Sequence, residues 1–353
     1  MMSWENNVRR VEPYVPGEQP KIQNLIKLNT NENPYPPAIG VKNALLSLAQ
    51  SYDCLRKYPD PACEELILPI ADHYQLKKEE VFVGVGSDDV LSMAFLTFFN
   101  SNLPILFPDI TYSFYDVWAE VYRIKYEMKP LDCDFRLRLE DYLVPNGGIV
   151  IANPNAPTGE AVELDFIEEI LKANQKSVVI VDEAYIDFGA KTCLPLIHKY
   201  ENLLVVQTTS KSRNLAGMRV GMAFGCEKLI HYLNDVKFSV NSYTMNMPSL
   251  KCASASFEDK DYFNECVSKV IKTREWTKKE LSALGFTFPD SFANFIFATH
   301  YSVPASDIAR KLRERAIIVR HFNKPRIENY LRISIGTDEE METLIRVLKE
   351  ILS

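Results

Sequence analysis

Short apolar runs alternate with helical periods along most of this chain. Six runs lack the polar alternation of a half-exposed strand and end in turn residues: 81–84, 104–107, 148–152, 177–181, 202–206 and 220–224. Helix candidates, such as 89–99 and 163–172, lie between them. Strands that are apolar on both faces are typical of a mainly parallel sheet covered by helices on both sides. The pattern therefore predicts a large α/β domain over residues 40–255.

The two ends of the chain follow different patterns. Residues 1–39 are rich in Pro, Asn and Tyr without a clear period, which predicts an extended N-terminal arm. A charged helical pattern covers about 262–283, and strand candidates follow at 294–298, 316–319 and 330–335. Thr337-Asp-Glu-Glu is a capping box that begins a last helix. We expect residues 256–353 to form a smaller α+β domain.

Composition narrows the classes of protein. The formal charge of −7 offers no basic field for nucleic acid, and no spacing of the five histidines predicts a metal site. Seven scattered cysteines without a C-x-x-C pair are typical of reduced thiols. No apolar stretch of about 18 residues and no signal peptide occur. These features predict a cytoplasmic protein with neither nucleic acid nor membrane as a partner.

The residues that follow the apolar runs are the candidates for chemistry, because ligands of open α/β sheets bind at the carboxyl ends of strands. Gly86, Ser87 and Asp88 follow the first run and are suited to starting a helix, whose free amides favour a phosphate. A plain helix cap is the alternative. Asp89 stands where a dinucleotide-binding fingerprint needs its third glycine, so that motif is excluded.

Two charged residues follow later runs. Asp182 comes after residues 177–181, where a buried carboxylate needs a cationic or hydrogen-bonding partner such as a protonated heterocycle; a simple cap is the alternative. Lys211 comes after residues 202–206, with Arg213 as a second cation close by. Partial desolvation and a neighbouring cation both favour a neutral, nucleophilic amine. Taken alone, Lys211 is better explained as an exposed lysine in a basic loop.

Several separated motifs carry a family resemblance. N-P-x-x-P-T-G at 153–159, D-E-A-Y at 182–185, S-K at 210–211 and L-A-G-x-R-x-G at 215–221 occur in this order. The set resembles the fold-type-I pyridoxal-phosphate enzymes of the aminotransferase superfamily. L-N-x-N-E-N-P at 28–34, K-Y-P at 57–59 and Y-L-R-I-S-I-G-T at 330–337 are most similar to the histidinol-phosphate aminotransferase family. The resemblance covers residues 9–350.

The resemblance implies pyridoxal 5′-phosphate as the cofactor and assigns a role to several residues. Lys211 would bind the cofactor covalently and move a proton, Asp182 would pair with the pyridinium nitrogen, and Tyr185 would bond the phenolate oxygen. Tyr112 would stack on the ring. The cofactor phosphate would lie among Ser210, Arg219 and the amides of Gly86, Ser87 and Asp88.

The resemblance also implies a homodimer and a set of substrate-binding residues. Arg332 would take a substrate carboxylate in a bidentate pair. Tyr58 would reach across the dimer interface toward a phosphate, and Tyr14 with Arg320 would close over the substrate. The N-terminal arm would join the small domain and the dimer interface.

Two positions depart from the family pattern. Ala156 stands where relatives carry an asparagine that donates to the phenolate oxygen. Asn155 or Asn153 replaces that donor, or Tyr185 acts alone. Arg213 lies in Ser212-Arg-Asn, where many relatives carry Ala-Phe-Gly.

The expected reaction is amino transfer between a phosphorylated amino compound and 2-oxoglutarate, with glutamate as product. On the same scaffold, a threonine-phosphate decarboxylase or an aromatic aminotransferase is the alternative. A non-catalytic regulator with this fold is a further alternative, although both Lys211 and Asp182 are present.

Overall fold

The computed structural model describes residues 4–353. Within them the chain forms twelve strands, numbered in chain order: β1 (Ile26–Leu28), β2 (Val81–Gly84), β3 (Ile105–Pro108), β4 (Tyr126–Lys129), β5 (Gly148–Ala152), β6 (Val179–Asp182), β7 (Leu203–Thr208), β8 (Gly221–Phe224), β9 (Phe286–Thr287), β10 (Phe295–His300), β11 (Ile317–His321) and β12 (Leu331–Ser334). The same residues form ten α-helices: α1 (Ile39–Gln50), α2 (Glu64–Tyr74), α3 (Gly86–Phe98), α4 (Tyr115–Tyr122), α5 (Leu164–Ala173), α6 (Glu227–Val240), α7 (Met247–Glu258), α8 (Lys260–Ala283), α9 (Ala305–Glu314) and α10 (Asp338–Leu352). All six apolar runs become strands.

The larger sheet has seven strands in the order β2-β8-β7-β6-β5-β3-β4. The pairs from β7 to β4 are parallel, whereas β8 is antiparallel to both β7 and β2. Consequently β2 runs in the same direction as β7. This arrangement confirms the predicted α/β fold and brings the carboxyl ends of β2, β5, β6 and β7 to one edge of the sheet.

Helices cover both faces of this sheet. Along β6, Val179 and Val181 pack into a core with side chains of α2, α5 and α7, whereas Ile180 packs into a second core with α3 and α4. Side chains of a strand alternate between faces, so a strand with two covered faces must be apolar at every position. The apolar runs in the sequence are uninterrupted because both faces of these strands are covered.

The smaller sheet has five strands in the order β1-β11-β12-β10-β9. β1, from the N-terminal region, pairs in parallel with β11, and the other pairs are antiparallel. Side chains of α8, α9 and α10 complete its core. The division of the chain at residues 39 and 255 stays a prediction. From residue 4 to the C-terminus, no helix is both long and apolar enough to cross a membrane.

Candidate active site

Lys211 lies three residues beyond β7 and faces a cavity at the edge of the larger sheet. Its Nζ donates to the carbonyl oxygen of Thr30 at 3.3 Å and lies 5.6 Å from the ring centroid of Tyr185. Among the described residues it forms no ion pair, since no acid lies within salt-bridge distance. The amine is therefore available to a ligand in the cavity.

Asp182 is the last residue of β6 and is only 5% exposed. Its carboxylate accepts hydrogen bonds from the Tyr115 hydroxyl at 2.8 Å and from the Ala184 amide at 3.2 Å. Burial raises the pKa of Asp182 to about 6, against the effect of these two donors. A cation in the cavity would favour the ionised form of Asp182. The sequence predicts such a partner for this carboxylate. Sequence reasoning missed Tyr115, because its contact with Asp182, 67 residues away, leaves no local pattern.

Tyr185 faces the same cavity, and its hydroxyl oxygen accepts a hydrogen bond from Asn31 Nδ2 at 2.9 Å. Ser334 orients this amide by donating to Asn31 Oδ1 at 2.9 Å. Asn31 is the donor in this hydrogen bond, so the proton of the Tyr185 hydroxyl remains available for donation into the cavity. Sequence reasoning missed Asn31, whose motif, L-N-x-N-E-N-P, was the available signal.

The start of α3 lies at one corner of the cavity. Gly86 has a φ of +85°, a backbone conformation that favours glycine, and the Arg219 guanidinium lies close to it, with Nη2 2.5 Å from where a Cβ would stand. Arg219 pairs with Asp88 at 3.1 Å and lies 3.5 Å from Ser210 Oγ. Free amides at a helix start beside an arginine and a hydroxyl suit a phosphate.

The cavity has a volume of about 100 Å³ and unites most of the predicted cofactor residues. Its lining includes Ser87, Asp88, Tyr112, Asp182, Tyr185, Ser210, Lys211 and Arg219. The Tyr112 hydroxyl donates to Asp88 at 2.7 Å. Since β8 and β7 separate β2 from β6, the helix start and the buried carboxylate face the cavity from different strands.

An adjoining cleft of about 440 Å³ contains Tyr14, Arg320 and Arg332. The two arginines lie directly opposite each other on β11 and β12. Arg332 donates to the Asn29 carbonyl oxygen at 3.1 Å, but its Nε is buried and has no hydrogen-bond partner among residues 4–353. Neither arginine has an ion-pair partner in the part of the chain that the structure covers. Facing like charges are unfavourable, so this pair is suited to an anionic ligand.

Three predicted site residues line neither the cavity nor the adjoining cleft: Gly86, Asn155 and Tyr58. The Asn155 amide is buried and donates to the Ile110 carbonyl and to Thr158, both at 3.0 Å, while its oxygen accepts from Thr111. The adjacent Ala156 faces the cavity instead. The predicted cofactor contact of Asn155 is therefore corrected: its side chain stabilises the turn instead.

Asn153 does not replace the missing donor either, because its side chain bonds the backbone of Val162. Tyr58 is 78% exposed and stacks on Tyr243 with centroids 4.6 Å apart.

Arg213 also points away from the cavity. Its guanidinium donates to the Ser256 carbonyl and contacts His73, so it does not act as a second cation beside the Lys211 amine. Ser212 next to it donates to the buried carboxylate of Asp187.

The profile of the family described as aminotransferase class I and II matches residues 23–348. This chain belongs to that family. The histidinol-phosphate aminotransferase of Lactococcus lactis subsp. cremoris (strain SK11) is 52% identical over 351 residues, which cover 99% of this chain and 98% of that protein. The histidinol-phosphate aminotransferase of Clostridium botulinum (strain Hall) is 53% identical over 350 residues, which cover 99% and 98%.

A solved structure shows the same fold as this aminotransferase. Histidinol-phosphate aminotransferase from Sinorhizobium meliloti, in complex with pyridoxal-5′-phosphate, has a TM-score of 0.85 at 22% identity. The match covers 93% of this chain and 90% of that one. At this identity the likeness concerns the fold.

The cavity of this aminotransferase fits pyridoxal 5′-phosphate by the chemistry of its groups. Lys211 offers an amine without an acidic partner, and Asp182 is a buried carboxylate that a protonated ring nitrogen would satisfy. The start of α3 with Arg219 and Ser210 offers donors for a phosphate. Tyr185 has a hydroxyl proton available for the ring oxygen.

Proposed function

We propose that this chain is a histidinol-phosphate aminotransferase of histidine biosynthesis that uses pyridoxal 5′-phosphate. It would interconvert L-histidinol phosphate and 2-oxoglutarate with imidazole acetol phosphate and L-glutamate. The observation that carries this proposal is the identity of 52–53% to proteins of that name over 99% of the chain. The cavity that unites Lys211, Asp182 and Tyr185 supports it.

The bound cofactor would supply an electron sink for the carbon that carries the amino group. Lys211 would hold the cofactor and then, as a free amine, move a proton between that carbon and the C4′ carbon of the cofactor. Asp182 would keep the ring nitrogen protonated, and burial strengthens this charge pair. Tyr185 would donate its hydroxyl proton to the ring oxygen, with Asn31 fixing its orientation.

The reaction needs one cleft to accept two different anions. Histidinol phosphate carries a phosphate ester and no carboxylate, whereas glutamate carries two carboxylates. Arg320 and Arg332 bind oxyanions of either kind through their planar donors. Tyr14, stacked on Phe114 with centroids 4.1 Å apart, would cover the substrate in this cleft.

We propose that the protein is a homodimer in the cytoplasm. Residues 52–58 expose apolar side chains that suit a second copy of the chain: Tyr52, Leu55 and Tyr58. Tyr58 would act in the partner's cavity, because it lines neither the cavity nor the cleft of its own chain. The cytoplasmic location is supported by the seven cysteines, all of which are free.

Turnover assays with purified protein and added cofactor test the proposed reaction. We expect glutamate to form from 2-oxoglutarate when L-histidinol phosphate is the amino donor, and we expect Lys211→Ala to abolish both this activity and the absorbance band of the covalently held cofactor. Release of CO2 from O-phosphothreonine without glutamate formation would identify a decarboxylase. A preference for aromatic donors would identify an aromatic aminotransferase. A protein that holds no cofactor would be a non-catalytic relative.

A further inference from the structure

Arg213 is a buried cation whose surroundings the amino-transfer reaction does not explain. Its side chain is only 5% exposed, and its guanidinium carbon lies 3.7 Å from the ring centroid of Phe257 and 4.3 Å from that of Phe263. Nη1 donates to the Ser256 carbonyl oxygen at 2.9 Å, and Nη2 lies 3.0 Å from His73 Nε2. In the described chain no carboxylate lies within salt-bridge distance of it. Aromatic faces and neutral acceptors stabilise this charge, together with the more distant carboxylate of Asp187.

The contact with His73 defines the state of the imidazole. A guanidinium can only donate, so Nε2 must accept, and the ring must be neutral with its proton on Nδ1. Burial, followed by the charges of Arg213 and Lys260, lowers the pKa of His73 to about 4. The neutral ring and the guanidinium therefore form one hydrogen-bonded pair at neutral pH.

Arg213 contacts the segment that connects the core of the larger sheet to the core of the smaller sheet. Ser256 and Phe257 lie in the last turn of α7, and Phe257 belongs to the core of the larger sheet. Phe263 lies in the first turn of α8, which contributes Val270 to the core of the smaller sheet. The guanidinium thus contacts both sides of the α7–α8 junction, residues 256–263.

The other side chains of this loop, residues 211–214, bond segments outside the α7–α8 junction. Ser212 bonds Asp187, and Asn214 donates to the Pro36 carbonyl oxygen at 2.8 Å and to Cys266 Sγ, further along α8, at 3.6 Å. Asn33 donates to the Lys211 carbonyl oxygen at 3.1 Å. Within residues 211–214, Arg213 supplies the side-chain bond to the α7–α8 junction.

We propose that Arg213 is a positioning residue that fixes the loop of Lys211 on the α7–α8 junction. The amine at the edge of the larger sheet and the arginine cleft on the smaller sheet thereby keep one alignment. The catalytic consequence rests on the proposed function, because the position of Lys211 matters for rate only if its amine reacts. A misplacement of about 1 Å at a reacting group costs on the order of 10²-fold in rate.

Arg213→Gln, Arg213→Lys and a matched control test this proposal. The control is Arg274→Gln, which removes an arginine that is also 5% exposed and also donates to backbone carbonyls, those of Phe188 and Ala293. Hydrogen exchange is measured first on cofactor-free protein. We expect Arg213→Gln to accelerate exchange at residues 209–215 and 254–263 together, with smaller effects in Arg213→Lys. Arg274→Gln should leave residues 209–215 unchanged.

Kinetics of the cofactor-loaded enzymes then test the alignment, well below their melting temperatures. We expect Arg213→Gln to lower kcat by about 10- to 100-fold, to change KM for 2-oxoglutarate by less than about threefold, and to shift the pH dependence of the bound cofactor's absorbance. Arg213→Lys should recover part of kcat. If Arg213→Gln does not fold, Phe263→Leu removes one ring contact and should change exchange and kcat in the same direction.

Unchanged exchange at residues 209–215, or kinetics and a pH profile equal to those of Arg274→Gln, would reduce Arg213 to a packing role and overturn the proposal. Failure of the proposed function gives a different result, since wild-type protein would then lack turnover while the exchange effect persists. The absence of wild-type turnover together with faster exchange in Arg213→Gln would overturn the proposed effect of Arg213 on catalysis. It would still support a link between the Lys211 loop and the α7–α8 junction.

Discussion

Asp182 shows how a single buried acid can prepare a site for a cation. Two hydrogen bonds stabilise its ionised form, yet burial still raises its pKa to about 6. A positive ring nitrogen beside it would lower that pKa, and by linkage the ionised carboxylate would raise the affinity of the site for the protonated ring.

We expect Asp182→Asn to lower kcat/KM by about 10²- to 10³-fold, the effect of removing one preorganised electrostatic partner. Tyr115→Phe is the control, because it removes one hydrogen bond to the carboxylate and keeps the charge. Its loss should stay near tenfold or below. Steady-state kinetics of both variants at saturating cofactor provide the comparison, and equal losses would contradict the role of the charge.

His73 should make the stability of the protein depend on pH. Its pKa is lowered from 6.5 to about 4 in the folded chain. A neutral imidazole is therefore favoured by folding, and its contribution to stability is complete above pH 6.5 and is lost as the pH falls toward 4. The charged groups that affect it are Arg213, Lys260 and Asp72.

We expect His73→Gln, whose amide oxygen can still accept from Arg213, to lose less stability than wild type between pH 7 and pH 5. Urea unfolding at several pH values measures the difference. His231→Gln serves as control, since His231 is exposed beside Asp235. Parallel curves for wild type and His73→Gln would show that folding does not change the pKa of His73, and would contradict the prediction.

Residue positions were predictable from sequence at the end of a buried strand or shortly after it. Asp182 is the last residue of β6 and Lys211 lies three residues beyond β7, and the parallel sheet brings both to one edge. Asn155 and Arg213 lie in irregular turns, where no period tells which way a side chain points. Asn31 contacts Tyr185, 154 residues away, and such a pairing leaves no local pattern.

At the scale of elements, the strands buried on both faces were the most predictable. β4 was not predicted because it is an edge strand of the sequence Tyr-Glu-Met-Lys, in which two of four side chains are exposed. A run of hydrophobic residues indicates a buried strand. An exposed edge strand lacks such a run and is therefore hard to predict from sequence. The start of α10 was predicted from its capping box, which the structure confirms.

We expect Thr337→Ala to lower the free energy of unfolding by about 1 kcal/mol. The Thr337 hydroxyl accepts from the Glu340 amide at 3.3 Å, and the Glu340 carboxylate accepts from the Thr337 amide at 2.8 Å. Thr337→Ser retains the hydroxyl and should lose little. Urea titrations of the three proteins measure the effect, and a serine variant as unstable as the alanine variant would rule out the cap as the cause.

At the scale of the whole molecule, the α/β class and the smaller sheet followed from the order of the runs. Tyr58 is exposed and does not line the cavity of its own chain, so its proposed role in a site requires a second copy. The periodicity of one chain carries no information about contacts with another copy.

Hybrid dimers test the role of Tyr58. We expect Lys211→Ala and Tyr58→Ala proteins each to be nearly inactive alone, and their equimolar mixture after subunit exchange to recover about a quarter of wild-type activity. Half of the dimers would then be hybrids that hold one complete site, formed by Lys211 of one copy and Tyr58 of the other.

Light scattering confirms the oligomeric state, and differently tagged copies confirm that subunits have exchanged. A verified hybrid without activity would show that Tyr58 does not serve the partner's site. A monomeric wild-type protein with full activity would exclude the dimer as the functional unit.

The pairing of β1 with β11 also has a consequence for synthesis on the ribosome. Ile26 pairs with Ile317, and the segment after β1 provides the Thr30 and Asn31 contacts of the Lys211 and Tyr185 side chains. Domains fold as they emerge, N-terminal part first. The larger sheet can therefore form before β11 has been synthesised and while β1 is still unpaired. A nascent chain thus gains a complete site only near the end of translation.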